Sequence, residues 1–221
     1  MFIYLCYIIY LCLNFLTPKI TVEYFMIFYN DTLYKLTQME VLVLAYNVIY
    51  ADPPWNYNSK HTGGSMNSGA AQKYNVLTQQ DIIDIIRSVG ISDDSVIFLW
   101  STTPMLISAL HIIQELGYTY KTLMTWIKTG RLGMGYWVRV QTEFLLLGVK
   151  GNIRPFKSSM RNHILEKPGK HSAKPDIFYE IIETLTKNVE NRKLIEIFAR
   201  KRRVGWESIG DELESSEHKD R

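Results

Sequence analysis

The sequence predicts an α/β protein built on a mostly parallel sheet, and three observations lead there. The run Val41 to Ala51 (VLVLAYNVIYA) is almost continuously apolar and stops abruptly at Asp52-Pro53-Pro54. A strand buried on both faces reads as such an unbroken run, and two successive prolines forbid further ladder bonds. Beyond it, short apolar stretches alternate with stretches whose apolar residues recur at helical spacing, the order expected of strands joined by crossover helices. Finally, 221 residues that are 47% hydrophobic and 21% charged suffice for one domain with a real core, and exclude a fibre or a disordered tail.

The elements follow in order, each on its own signal. Residues 56–72 (NYNSKHTGGSMNSGAAQ) are polar and aperiodic and read as a loop. Thr78 with Asp81 forms a capping box for a helix whose apolar face is Ile82, Ile83, Ile85, Ile86 and Val89, closed at Gly90. Ser95 to Trp100 is the next strand. Pro104 opens a second helix, with Leu106, Ala109, Leu110, Ile113 and Leu116 inward as far as Gly117. Tyr118 to Ile127 and Phe144 to Val149 are strands separated by a loop holding Gly130, Gly133 and Gly135. Pro175 opens a third helix to about Lys187, and Leu194 to Ala199 (LIEIFA) is a late buried strand.

The amino terminus stands apart. Met1 to Leu16 carries no charge and is almost wholly apolar. It falls short of the roughly 20 residues of a spanning helix and lacks the positive start of a signal peptide. A membrane anchor, an export signal and an early start codon compete, and the third is favoured because Met26 and Met39 are both candidate internal starts. Residues 1–38 are therefore expected to be a leader outside the native protein, 39–213 the functional domain and 214–221 a polar tail. No stable membrane association is expected.

Charge is local rather than global. The net charge is only +3, but seven Lys/Arg lie between Lys150 and Lys174 against one acid, Glu166, and Lys201, Arg202 and Arg203 form a second cluster. A basic face on a near-neutral protein suits a phosphate backbone, with a solvated surface as the bland alternative. Cys6 and Cys12 are the two cysteines, so beyond residue 12 there is no disulfide, no cysteine-based metal site and no thiolate nucleophile. That disfavours methylation at carbon 5 of cytosine, which needs a thiolate. No metal is expected.

Asp52-Pro53-Pro54-Trp55 carries the chemistry. It stands where open α/β sheets hold their ligands, at the carboxyl end of a strand. An aromatic exocyclic amine such as adenine's is a poor nucleophile, and two acceptors that fix its hydrogens turn its lone pair outward. Asp52 supplies a carboxylate, the Pro53 carbonyl a second acceptor on a backbone stiffened by two fixed φ angles, and Trp55 a flat apolar surface for an unstacked base. The bland alternative is a strand ending in a turn, with Trp55 in the core.

Six segments in this order resemble the adenine N6-methyltransferase family typified by the seventy-kilodalton catalytic subunit of the mRNA adenosine methyltransferase: YADPPW (50–55), FLWSTTP (98–104), TWIK (125–128), GYWVRVQTEFLLLGVKG (135–151), EKPGKHSAKPD (166–176) and RKLIEIFAR (192–200). The resemblance runs from about Tyr46 to Leu213. It implies a Rossmann-like S-adenosylmethionine-dependent methyltransferase sheet with helices on both faces and permuted motif order, the catalytic tetrapeptide preceding the cofactor-binding segment. It implies S-adenosyl-L-methionine as cofactor, with Lys174 meeting its carboxylate, Asp52 also facing its ammonium, and Glu196, Arg200, Asp211 and Glu212 near its ribose and amino-acid parts. The last two match the family's pattern only approximately. Tyr57 falls in the family's gate over the target base, and Trp126, Lys128, Arg139 and Glu143 line up with positions near the site. Lys128, Arg139, Arg154, Lys157, Arg161 and His163 are expected to contact nucleic acid, which needs cations but no exact geometry.

The expected activity is methylation of the N6 amine of adenine in DNA, in a bacterial cell or phage-infected host, and in the cytoplasm where the cofactor is made. RNA is the nearest alternative. A catalytically inactive member that only binds nucleic acid is disfavoured by the intact tetrapeptide and Lys174, and a protein-amide methyltransferase by Asp52 where Asn would suit an amide. Without a separate target-reading domain, specificity falls to loops 129–142 and 151–170 or to a homodimer or partner chain.

Overall fold

The computed structural model describes residues 19–29, 32–42, 45–56, 77–130, 133, 135, 137–154, 159–169, 173–211 and 213. It divides into two units, Met1–Ala45 and Tyr46–Arg221. In the first, β1 (Lys19–Tyr29) and β2 (Thr32–Leu42) pair antiparallel, Val22 opposite Met39 and Tyr29 opposite Thr32. The predicted leader boundary thus falls inside a strand, since Met39 is part of β2. The apolar run read as one strand from Val41 is two: β2 ends at Leu42 and β3 (Tyr46–Ala51) begins in the second unit. An apolar run does not record which ladder its residues join.

The second unit is built on seven strands in the order β7-β5-β6-β4-β3-β8-β9, with β4 Ile91–Thr102, β5 Thr119–Lys128, β6 Thr142–Lys150, β7 His163–Glu166, β8 Leu194–Ile197 and β9 Trp206–Ile209. All neighbours run parallel except β6, which is antiparallel to both β4 and β5. β3 lies inside the sheet between β4 and β8, and its Val48 to Ala51 are at most 1% exposed, which is why this part reads as an apolar run.

Helices cover both faces, as the α/β reading requires. α1 (Gln79–Ser88) is capped by Thr78 and Asp81 in the predicted box. It packs Ile82, Ile83 and Ile86 on one face together with Ala109, Ile112 and Ile113 of α2 (Leu106–Glu115), against Ile49, Ile97, Leu99 and Ile195. α3 (Ile177–Leu185) covers the other face, burying Phe178, Tyr179, Ile181 and Ile182 on Val48, Tyr50, Phe98 and Leu194. Alternate residues of β3 therefore feed the two cores, as a period of two demands. Pro104 opens a single 3₁₀ turn, Thr103–Met105, rather than α2 itself. No helix among the described residues is long and apolar enough to cross a membrane.

Candidate active site

The parallel strands β3, β4 and β8 end on one edge of the sheet, where the antiparallel β6 begins. Asp52 is the first residue beyond β3, and it is tied down from several sides. Its N–H reaches the Ile197 carbonyl at the end of β8 at 3.5 Å, and the Pro54 carbonyl accepts from Leu77 at 3.2 Å. The Trp55 indole N–H donates to the Trp100 carbonyl of β4 at 3.2 Å. Among the described residues, the bonds that fix this turn leave out the Pro53 carbonyl.

Trp55 is only 6% exposed and packs with Ile49, Ala51 and Leu99 in the α1/α2 core. In this structure it is a strut beneath the tetrapeptide rather than an open stacking surface. The indole carries one donor, and that donor is spent inside the protein.

Four side chains then form an alternating ionic chain. Lys174 Nζ lies 2.6 Å from both Asp52 carboxylate oxygens and 3.3 Å from Glu143 Oε2, while the other Glu143 oxygen accepts from Lys128 Nζ. Glu143 begins the ladder of β6 with β4 opposite Thr102, so antiparallel β6 delivers a carboxylate to the edge where the parallel strands end. Lys174 Nζ also lies 5.2 Å from the centre of the Trp100 ring. Asp52, Glu143 and Lys174 retain only 18%, 10% and 12% side-chain exposure, so their charges interact in a weakly screened setting. Burial alone would raise the Glu143 carboxyl, but Lys174 and Lys128 outweigh it and hold Glu143 below the usual carboxylate range. Burial would likewise lower the Lys174 ammonium, yet Asp52 and Glu143 raise it above its ordinary value. Glu143 and Lys174 thus hold each other in their charged forms.

Glu196 lies elsewhere, under α3. It sits between Tyr50 of β3 and Ser208 of β9, 6% exposed, with Oε1 accepting from the Tyr179 hydroxyl at 2.8 Å. Glu196 is thus a buried group. Its Oε2 and the Ser208 hydroxyl are buried without a partner among the described residues. Burial first, and the Asp52 charge, push its carboxyl up to about 7 against the Tyr179 bond and the Lys201 and Arg203 charges. Edge-on contacts among Tyr50, Tyr179 and Trp206 enclose it.

The remaining predicted residues divide. Lys128 is engaged with Glu143 and belongs to the ionic chain, and Trp126 is fully buried, its N–H donated to the Glu166 carbonyl. Arg200 is half-buried just past β8, while Arg139, Arg154, Arg161 and Asp211 are exposed and His163 half-buried on β7. The structure does not bring Arg154 to Asp52. It follows Asn152, which bonds Asp94 near the start of β4, at the far end of β6 from Glu143, a strand length of roughly 23 Å at 3.3 Å per residue. Tyr57, Lys157 and Glu212 lie outside the described residues.

Two features of the edge were not singled out from the sequence. Phe198, directly after β8, has φ 67, a left-handed conformation that bulky residues rarely adopt and that clusters at functional sites. Gly210 packs against the next residue so tightly that a Cβ there would lie 2.2 Å from the Ala199 carbonyl. The IFAR and SIG stretches are visible in the sequence, but no residue type in them announces a positive φ at phenylalanine.

The geometry agrees with the comparisons. The MT-A70 family model matches residues 46–212, the second unit of the structure. The chain is 34% identical over 186 residues to the type II methyltransferase M.MunI of Mycoplasma sp, covering 76% of this chain and 78% of that one. It is 28% identical over 177 residues to an N(6)-adenosine-methyltransferase MT-A70-like protein of Arabidopsis thaliana, and 27% over 187 to the N(6)-adenosine-methyltransferase catalytic subunit of Homo sapiens, spanning only 24% and 30% of their lengths. A buried strand ending in Asp-Pro-Pro-Trp, a lysine closed on that aspartate, and a family match across the whole sheet converge: the chain is a methyltransferase and belongs to the MT-A70 family.

Proposed function

We propose that the chain transfers a methyl group from S-adenosyl-L-methionine to the exocyclic N6 amine of adenine in DNA. The observation that carries this reading is the Asp52 carboxylate, fixed at the end of β3 beside the Pro53 carbonyl, with Lys174 against both its oxygens. DNA is chosen because the relative that matches most of both lengths is a type II methyltransferase, whereas the relatives named for adenosine are matched over a quarter to a third of theirs. A cytoplasmic setting, where the cofactor is made, goes with it.

The residues present fit that cofactor. A buried ammonium and a buried carboxylate in contact, Lys174 and Asp52, complement an amino-acid zwitterion: Lys174 toward its carboxylate, Asp52 toward its ammonium. When bound, the cofactor supplies an electrophilic methyl on a sulfonium. The protein's own work is positioning and electrostatics. Asp52 and the Pro53 carbonyl accept the two amine hydrogens and aim the lone pair. With the cofactor bound, the N–C bond would form as the methyl–sulfur bond breaks, leaving a neutral thioether and a cationic nitrogen whose proton a lone pair of Asp52 is placed to accept. Glu143 keeps Lys174 charged when Lys174 turns from Asp52 to a ligand carboxylate, and Lys128 keeps Glu143 ionised. Phe198, Arg200 and Asp211 remain candidates for the rim of the cofactor site, and Glu196 acts from beneath by holding Tyr179.

The test is direct. The full chain is incubated with methyl-labelled cofactor and duplex DNA, single-stranded DNA or RNA, and the polymers are digested to nucleosides. N6-methyladenine is expected from DNA. Its absence from every substrate sinks the proposal, and its appearance in RNA alone moves the substrate. Asp52→Ala should reduce transfer by about a hundredfold or more, the scale of losing one preorganised polar group at a reacting centre.

A further inference from the structure

We propose that Trp137 is the residue that enters a duplex and occupies the space left when the target adenine is drawn out toward Asp52, an inference that rests on the reading of adenine methylation in nucleic acid. The chain has five tryptophans. Trp55, Trp100, Trp126 and Trp206 are 6%, 1%, 0% and 8% exposed, whereas Trp137 is 99% exposed, with Val138 beside it at 70%. One exposed aromatic proves nothing alone. This one also stands on an unusual backbone: Trp137 has φ 65, a conformation β-carbon sterics disfavour.

The described residues on either side of Trp137 approach each other closely. A Cβ at Gly133 would lie 2.6 Å from the Val140 carbonyl, and one at Gly135 2.1 Å from the Val138 carbonyl, so the two glycines let the loop's arms close and leave Trp137 at the tip. The root is closed by the Lys128 N–H on the Gln141 carbonyl at 2.7 Å and by the Gln141 amide on the Lys128 carbonyl at 3.4 Å. That root is the edge where Lys128 meets Glu143, and Glu143 meets Lys174 and Asp52. Trp137 is four residues from Gln141, a reach of at most about 14 Å.

The chemistry gives such a residue a task. The N6 amine of a stacked adenine cannot reach a sheet-edge site, so the base must leave the stack. The gap that remains collapses or draws the base back unless a flat apolar group fills it, and inserted apolar side chains are how proteins hold a duplex open. Residues 129–141 (TGRLGMGYWVRVQ) contain Arg131 and Arg139 and no acid, a charge balance that complements phosphate, and an exposed aromatic set among such charges suits stacking on bases. The occupant is therefore duplex nucleic acid.

The experiment uses unmethylated, enzymatically amplified genomic DNA, either duplex or heat-denatured, with the full chain. Trp137→Ala should lower kcat/KM on the duplex by about ten- to hundredfold, the range expected from loss of one base–aromatic stack, and on denatured DNA by less than about threefold, since nothing there needs holding open. Trp137→Phe should restore most of the duplex rate. Duplex DNA should quench the wild-type tryptophan emission, and Trp137→Phe should remove most of that quench because the other four indoles are buried. Equal losses on both DNAs, no loss on either, or an unchanged quench overturns the proposal. So does a changed molecular mass in solution for Trp137→Ala, which would make Trp137 a protein contact. If wild type forms no N6-methyladenine on any polymer, the functional reading fails instead.

Discussion

Glu143 and Glu196 are both buried carboxylates on strands of one sheet, 7% and 6% exposed, yet one lies between two lysines and the other beneath a tyrosine. Lys174 and Lys128 hold Glu143 ionised below the usual carboxylate range. Glu196 has one hydroxyl donor and cations only at a remove: Lys201 bonds Asp176 and Arg203 lies 3.7 Å from Glu183. Burial therefore dominates, and its carboxyl rises to about 7. The same side chain is a fixed charge beside Lys174 and Lys128 and a titrating group under α3. The difference lies in whether a cation is in contact, not in depth.

The largest effect should come from taking away the shared cation. Lys174→Met leaves Asp52 and Glu143 facing each other without compensation. Removing one partner of a buried pair costs about 3–5 kcal/mol, which for a chain of this size lowers Tm by roughly 6–20 °C. Transfer should fall to background. A variant as stable as wild type would show that the ionic chain does not contribute to the fold.

The second prediction breaks the comparison by pH. A carboxyl whose folded pKa is raised binds its proton more tightly folded than unfolded, so its contribution to stability falls as pH rises from about 4.5 to about 7 and is flat above. At about 1.4 kcal/mol per unit, this amounts to about 3.5 kcal/mol over the whole range. Glu196→Gln removes that loss, part of which is already present at pH 5, so urea unfolding should favour the variant over wild type by about 2.5 kcal/mol more at pH 8 than at pH 5. An equal difference at both pH values would mean that Glu196 stays ionised. Glu143 has the opposite sign: its folded pKa is depressed, so its stabilisation is present above about 4.5 and is lost as pH falls below it. Glu143→Gln should therefore cost about 1–3 kcal/mol at pH 7 and progressively less below pH 4, as followed by thermal unfolding.

The parts of this arrangement that sequence could show are those written in local pattern. β3 declares itself by unbroken apolarity, α1 by Thr78 and Asp81, and the order of strand and helix by their periods. The short edge strands β7 (HILE) and β9 (WESI) were not anticipated, because four residues give no period and one lies within a basic run. Asp52 and Lys174 were expected to share a ligand, and they meet. That Lys128 serves Glu143, and that Arg154 lies at the far end of β6, depends on strand register and direction across the sheet. Reversal of one strand, β6, decides both, and nothing in its residues states its direction. Trp55 shows the same limit, since an aromatic after two prolines suits a base platform and a core strut equally well.

Trp55→Phe distinguishes those two roles and should have the smallest effect. It keeps an aromatic ring in the α1/α2 core and removes only the bond to the Trp100 carbonyl. A lost hydrogen bond of this kind costs about 1 kcal/mol, a fall of about 2–4 °C in Tm. If Trp55 is a strut, the tetrapeptide loosens slightly: kcat should drop about three- to tenfold, in line with the sensitivity of transfer to small misplacements, while KM for DNA stays within about twofold, because a ring 6% exposed has little surface to offer a base. A several-fold rise in KM at unchanged kcat would mean instead that the ring turns out to meet its substrate, and that the buried position belongs only to the enzyme without its base.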